Sequence, residues 1–210
     1  MERFSPSQGE LTRMDQETGV SPAPRQRKKA DKPALSGWRK EVWDWTKALI
    51  VAFVVVYLLK TYVFQLSTVR QHSMEPTLHE REWLFVNKIS YEFSHPGRGD
   101  VIVLQDPSMG PDRKDYLVKR VIGVPGDRLE IRNGQLYING ELTIERYTDV
   151  KIEDGDYGPV QVSAGHYFVM GDNRHSRASK DSRDFDQVPE NKIKGRAELI
   201  IWPISRWAKL

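Results

Sequence analysis

The chain has 210 residues and a mass of 24.3 kDa, enough for one ordinary domain or two small ones and too little for a large multidomain enzyme. It has no cysteine, which excludes disulfides, thiolate metal sites and a cysteine nucleophile, while 39% hydrophobic and 10% aromatic content suffices for a core. The net charge of +3 is uneven: residues 1–64 carry +4 and the rest carry −1, so the folded part lacks the basic stripe that nucleic-acid binding needs.

Residues 1–37 are rich in Ser, Pro, Gln, Gly and charge, with no apolar period. Such a segment does not offset its ordering entropy and reads as a disordered tail. Trp43-Asp44-Trp45-Thr46-Lys47 follows, then Ala48 to Leu59 with no polar group except the Tyr57 hydroxyl. A bilayer crossing needs about 20 residues. Trp45 to Leu66 gives 22, with Lys47 near one end and Lys60 toward the other, where a lysine snorkels to the interface. Trp43, Trp45 and Tyr62 suit interfacial belts. A signal peptide fits poorly, because the preceding tail is long and no small-x-small cleavage site follows; a buried helix of a soluble domain is the plainer alternative. The predicted division is a disordered basic tail over 1–42, a transmembrane helix over 43–66 and a second domain over 67–210. Residues 25–47 carry eight Lys/Arg, far more than the stretch after the span. The positive-inside rule then predicts a single-pass protein of the cell membrane, N-terminus cytoplasmic and main domain outside.

That domain reads as mainly β. Trp83–Val86 and Val101–Leu104 are short apolar runs between polar turns, and Tyr116–Val124 is strand-like. Pro125-Gly126-Asp127 is a turn. Asn133-Gly134 and Asn139-Gly140 separate Leu129–Ile131, Leu136–Ile138 and Leu142–Ile144, which predicts a β-meander. Tyr167–Met170 and Ala197–Trp202 supply later strands, and no long 3.6-residue period follows the span.

Five histidines invite a metal or triad reading, but only His72 and His79 are close in sequence, and H-E-x-x-H is absent. His72 abuts Ser73, and neighbours in an extended segment face opposite ways. Asp181, Asp184 and Asp186 lack the glycine and terminal glutamate of a calcium loop. No metal and no cofactor are expected. Three other segments carry chemistry. Ser73-Met74-Glu75-Pro76-Thr77-Leu78 begins nine residues after Phe64, within roughly 30 Å of the span's end. In Tyr116–Gly123, alternation puts Leu117, Lys119 and Val121 on one face, where desolvation would lower the lysine pKa toward that of a general base. Gly171-Asp172-Asn173-Arg174 and Ser179-Lys180-Asp181-Ser182-Arg183 concentrate polar groups after a strand, and Asp181 and Arg183 are placed to pair bidentately. Each segment alone also reads as an ordinary turn, sheet edge or surface loop.

In this order, behind one span, the segments resemble bacterial type I signal peptidases (leader peptidases), in the short single-span form of Gram-positive bacteria. Ser73-Met74-x-Pro76-Thr77-Leu78, Gly99-Asp100-Val101-Ile102, Lys119 to Asp127, and Gly171–Arg174 with Ser179-x-Asp181-Ser182-Arg183 match the family's boxes, and the likeness runs from about Trp43 to the C-terminus. The resemblance implies Ser73 as nucleophile and Lys119 as general base. It implies that Ser179 holds the Lys119 amine by a hydrogen bond, that Asp181 and Arg183 form the structural pair behind it, and that Asp172 and Arg174 belong to the scaffold. The Ser73 backbone N–H would be one oxyanion donor, with the Gln71 amide where some members carry a hydroxyl residue. This chain also departs in having His72 before the nucleophile and a longer spacer between Arg174 and Ser179. The activity implied is removal of signal peptides from exported precursors, after small residues of the Ala-x-Ala type, by a monomer whose partners are precursor and lipid bilayer. The rivals are a membrane-anchored β-domain that only binds peptides and a narrow-specificity Ser-Lys protease such as a pilin processor.

Overall fold

The computed structural model describes residues 35–111 and 113–210, so the predicted tail falls outside the described residues up to residue 34. By its contacts the chain divides into two units, with the boundary between Trp45 and Thr46. Helix α1 is Leu35–Leu58, continued by a π-helical turn at Leu59–Val63. Together they give Gly37–Val63, at 27 residues long enough to cross a membrane, whose most apolar 18-residue stretch has a mean hydropathy of 1.8 and is 0% buried, unlike the core helix of a soluble domain. The helix ends before the expected residue 66, because Phe64, Gln65 and Leu66 open strand β1 (Phe64–Thr68). Phe64 pairs with Asn87 and stacks on Phe85 with ring centroids 5.5 Å apart. An unbroken apolar run carries no mark of where helix gives way to strand.

The rest is β2 (Trp83–Asn87), α2 (Ser90–Phe93), β3 (Val101–Gln105), β4 (Tyr116–Gly123), β5 (Arg128–Arg132), β6 (Gln135–Ile138), β7 (Glu141–Leu142), β8 (Tyr157–Gln161), β9 (His166–Met170), α3 (Ser182–Phe185), β10 (Val188–Pro189), β11 (Ile193–Trp202) and β12 (Ala208–Lys209). The fold is mainly β, as predicted. Among the described residues two antiparallel sheets form, one in the order β1-β2-β11-β3-β4-β9-β10 with β12 beside β11, the other β7-β6-β5-β8.

Alternation decides which side chain enters which core. Val101 and Val103 of β3 join Val69, Met74, Leu78, Leu84 and Val86 in a first cluster. Ile102 and Leu104 join Leu117, Val121, Tyr167 and Val169 in a second. Being buried on both faces, β3 reads as a continuous apolar run. A register shift in the pairing of β4 with β9 between Val121 and Gly123 turns Ile122 into a third cluster with Leu129, Ile131 and Phe168. Both Asn-Gly pairs form the expected hairpins: Asn133 and Gly134 have φ of 51° and 71°, and Asn139 and Gly140 have 55° and 86°. The meander's third strand is shorter than expected, ending at Leu142.

The two turn glycines are not equivalent. A Cβ on Gly134 would lie 2.8 Å from the Ile152 carbonyl oxygen, whereas at Gly140 nothing lies within 4 Å. Gly140→Ala should therefore cost about 1–2 kcal/mol of left-handed backbone energy, and Gly134→Ala more. Denaturant unfolding of the two variants checks the order; equal midpoints would contradict it.

Candidate active site

Ser73 lies in the loop joining β1 to β2. Val69 closes the loop's base through hydrogen bonds of its N–H to the Glu82 carbonyl and of the Arg81 N–H to its own carbonyl, 2.9 and 2.8 Å. Met74 and Leu78, 1% and 0% exposed, pin the loop to the first cluster, and the Leu78 N–H bonds the Met74 carbonyl at 2.9 Å. Ser73 thus sits on an anchored turn and is itself buried.

Lys119 reaches Ser73 from β4. It stands opposite Ile102, between Leu117 and Val121, on the face that alternation predicted. The residue is 1% exposed, and its Nζ is 2.6 Å from Ser73 Oγ. Burial drives its pKa down to about 8, against the opposing pull of Asp181, Asp172 and Asp106, while Arg183 lowers it further. A buried, readily neutral amine on a serine hydroxyl can remove that hydroxyl's proton.

The loop from Gly171 to Arg183 supports both groups. The Asn173 N–H donates to the Ser73 carbonyl at 3.1 Å, and Asn173 Nδ2 to the His72 carbonyl at 3.0 Å. Asp172 accepts Arg120 Nε and Nη2 at 2.8 and 2.6 Å, and Thr77 Oγ1 at 2.5 Å. Arg174 forks onto Glu145 with two contacts of 2.6 Å, and its Nε donates to the Gly171 carbonyl at 2.7 Å. Asp181 takes both nitrogens of the Arg183 fork at 2.8 Å and caps α3. Burial would raise the Asp181 carboxyl, but the Arg183 guanidinium and the Ser179 hydroxyl hold it below the usual carboxylate range.

The structure gathers Ser73, Lys119, Asp172, Arg174, Ser179, Asp181 and Arg183 around one point, and Gln71 lines the groove beside it. It differs from expectation at Ser179. Its hydroxyl donates to Asp181 at 2.8 Å and accepts the Gly171 N–H at 3.1 Å, and the hydrogen bond of Lys119 Nζ goes to Ser73 instead. The carboxylate two residues on is the stronger acceptor for that proton. His72 turns away from Ser73 to Glu75, at 2.7 Å, which raises its pKa. Among the described residues no group of three or more His, Asp or Glu is arranged to hold a metal.

Two contributors escaped the sequence, and the role of a third was not assigned. Arg120, on the opposite side of β4 from Lys119, holds Asp172 and stacks 4.1 Å over the Tyr147 ring. Glu145 partners Arg174 from 29 residues away. A Cβ on Gly171 would meet the Ser73 carbonyl at 2.2 Å and Ser179 Oγ at 2.3 Å. Only Gly171 gave a signal, as a glycine directly after an apolar strand.

An open groove of about 650 Å³ runs past Ser73 between β1 and the start of β4. A serine hydroxyl hydrogen-bonded to a buried amine beside an open groove is an arrangement able to do the chemistry of a serine hydrolase. The signal peptidase, peptidase S26, family matches residues 42–202, and the chain belongs to that family. It is 38% identical over 178 residues to signal peptidase I P of Bacillus subtilis subsp. natto, across 80% of this chain and 93% of that protein. Against signal peptidase I S of Bacillus subtilis (strain 168) the identity is 37% over 182 residues, 81% and 95% of the two chains. Against signal peptidase IB of Staphylococcus aureus (strain COL) it is 35% over 186 residues, 80% and 94%. A crystal structure of a signal peptidase I from Enterococcus faecalis is similar at 29% identity and a TM-score of 0.41, over 49% of this chain and 97% of that one.

The crowding at Gly171 yields a test. Gly171→Ala must push the Ser73 carbonyl aside, and a misplacement near 1 Å costs on the order of 100-fold in rate. Peptidase activity should fall by about that factor while circular dichroism stays native; full activity would show that the loop does not position Ser73.

Proposed function

We propose that this peptidase removes signal peptides from exported precursors with Ser73 as nucleophile and Lys119 as general base. The observation that carries the reading is the 2.6 Å contact between Lys119 Nζ and Ser73 Oγ in a buried setting. Neutral Lys119 takes the Ser73 proton as Oγ attacks the scissile carbonyl. The oxyanion forms near the Ser73 N–H, with the Gln71 amide as second donor; one such donor is worth about 2.7–4 kcal/mol. Lys119, now an ammonium, protonates the leaving amine, which departs and leaves an ester on Ser73. Water, deprotonated by Lys119, attacks the ester and frees acid and serine.

The substrate lies extended in the groove beside β1, which is an edge strand with unpaired backbone groups. Residues one and three before the cut then face the same wall, because side chains alternate. Met74 and Leu117, both buried, line that groove, which supports a preference there for small apolar side chains. The part of α1 and its π-helical extension from Trp43 to Val63 spans the membrane with residues 1–42 in the cytoplasm, and β1 follows at once, so the groove stands near the bilayer where a signal segment emerges. Serine and lysine come from one chain, so a monomer suffices, and no step calls for a cofactor.

Ser73→Ala and Lys119→Ala should each abolish cleavage of an Ala-x-Ala precursor without unfolding the protein. The base must be neutral to work, so activity rises with pH through the Lys119 pKa of about 8. A histidine base would put that limb near about 6.5. Arginine keeps the charge but does not deprotonate, so Lys119→Arg should be inactive at every accessible pH. Activity retained in Lys119→Arg with an unmoved limb would end the serine–lysine reading.

The orientation is tested separately. Protease added outside intact protoplasts should cut at the exposed turn around Gly155 and spare residues 1–34. Loss of the tail first would reverse the topology.

A further inference from the structure

Asp106 follows the last residue of β3 and is fully buried at its carboxylate. Nothing in the mechanism above uses it, and buried carboxylates need a reason. Oδ1 accepts the Ser108 N–H at 2.9 Å and the Ser108 hydroxyl at 2.5 Å. Oδ2 accepts the Lys114 N–H at 2.9 Å, and Lys180 Nζ lies 3.5 Å away. Lys180 Nζ also donates to Ser108 Oγ at 2.7 Å, and Arg113 Nε donates to the Asp106 carbonyl at 3.3 Å. The knot therefore joins two distant parts of the chain. Arg113, Lys114 and Tyr116 are one wall of the groove. Lys180 sits in sequence between Ser179 and Asp181, whose side chains are hydrogen-bonded to each other, and the Asp181 charge acts on Lys119.

The charge matters as well as the bonds. Burial alone would raise the Asp106 carboxyl, but the Lys114 and Ser108 donors hold it below the usual range, so it is ionised at neutral pH. Lys119 feels the charges of Asp181, Asp172, Asp106 and Arg183. Asp181 and Asp172 are each neutralised by a guanidinium fork, from Arg183 and Arg120. Among the described residues no guanidinium fork closes on the Asp106 carboxylate; it faces the Lys180 ammonium at 3.5 Å, whose side chain is 35% exposed, with Arg113 on its backbone carbonyl, so its field is the less compensated one.

We propose that Asp106 is a positioning residue of the peptidase site: its buried carboxylate ties the groove wall at Arg113–Tyr116 to the Ser179–Asp181 loop, and through that tie it couples the wall to the surroundings of Lys119. The inference rests on the serine–lysine reading. It implies that substrate fit and the working pH are coupled through one side chain that touches neither substrate nor nucleophile.

The test uses the full chain in detergent with a precursor, measuring kcat and KM across pH. Wild type and Ser73→Ala set the frame, since cleavage by Ser73→Ala would sink the serine–lysine reading rather than this inference. Removing the charge with Asp106→Asn should favour the neutral amine and move the acidic limb of kcat to lower pH, by about 0.5 unit or more. It should also raise KM, because an amide presents a donor where two donors now converge. Ser108→Ala keeps the charge but loosens the wall, so KM should rise with the limb unmoved. A folded Asp106→Asn whose KM and limb both stay at the wild-type values overturns the proposal. If Asp106→Asn does not fold, unchanged KM in both Ser108→Ala and Lys180→Met overturns it.

Discussion

An amine that is 1% exposed at neutral pH is the constraint around which this domain is arranged. An ammonium placed there without partners would cost several kcal/mol. The chain accepts part of that cost, as the pKa of about 8 records, and offsets the rest with three carboxylates. The balance is narrow. More negative charge would leave the lysine permanently protonated, and less would strip the site of the field that stabilises an ammonium once it has taken a proton. Each of those carboxylates must in turn be held in place and partly neutralised.

That need explains the segment from Gly171 to Arg183, which is irregular yet largely buried. Three guanidinium forks lock it: Arg120 on Asp172, Arg174 on Glu145 and Arg183 on Asp181. Removing one partner of a buried pair leaves an uncompensated charge, at about 3–5 kcal/mol, so the loop has no inexpensive alternative conformation. Its rigidity passes to Ser73 through the two hydrogen bonds from Asn173. Gly171 makes the close approach between the loops feasible.

Much of this was legible in residues. The Asn-Gly turns specified their hairpins, and alternation along Tyr116–Gly123 foretold the burial of Lys119 with Leu117 and Val121. The adjacency of Asp181 and Arg183 gave their pairing. What stayed hidden depended on contacts across long stretches of chain or on a local competition. Glu145 looks like any acidic residue until the meander brings it to Arg174. Ser179 was assigned to Lys119, but Asp181 lies two residues away and takes its proton. Arg120 faces away from Lys119, as alternation requires, yet that side is also buried, because β4 lies inside the sheet and is covered on both sides from Lys119 to Gly123. Phe64–Leu66 joined the helix on paper because apolar residues serve span and strand equally.

Strand β4 contributes to all three clusters, with Leu117 and Val121 in one, Ile122 in another and Val118 packed against the remaining one. Consider a slip of one residue against β3, where Ile102 now faces Lys119. Every side chain of the strand would change faces, turning apolar residues out of their cores at once. The same slip would present Arg120 where Lys119 belongs, a group that never loses its proton in water. The misregistered chain would thus be both unstable and chemically silent. Fidelity of assembly and reactivity are secured by the same eight residues, so a wrongly paired molecule does not persist as an enzyme of altered selectivity.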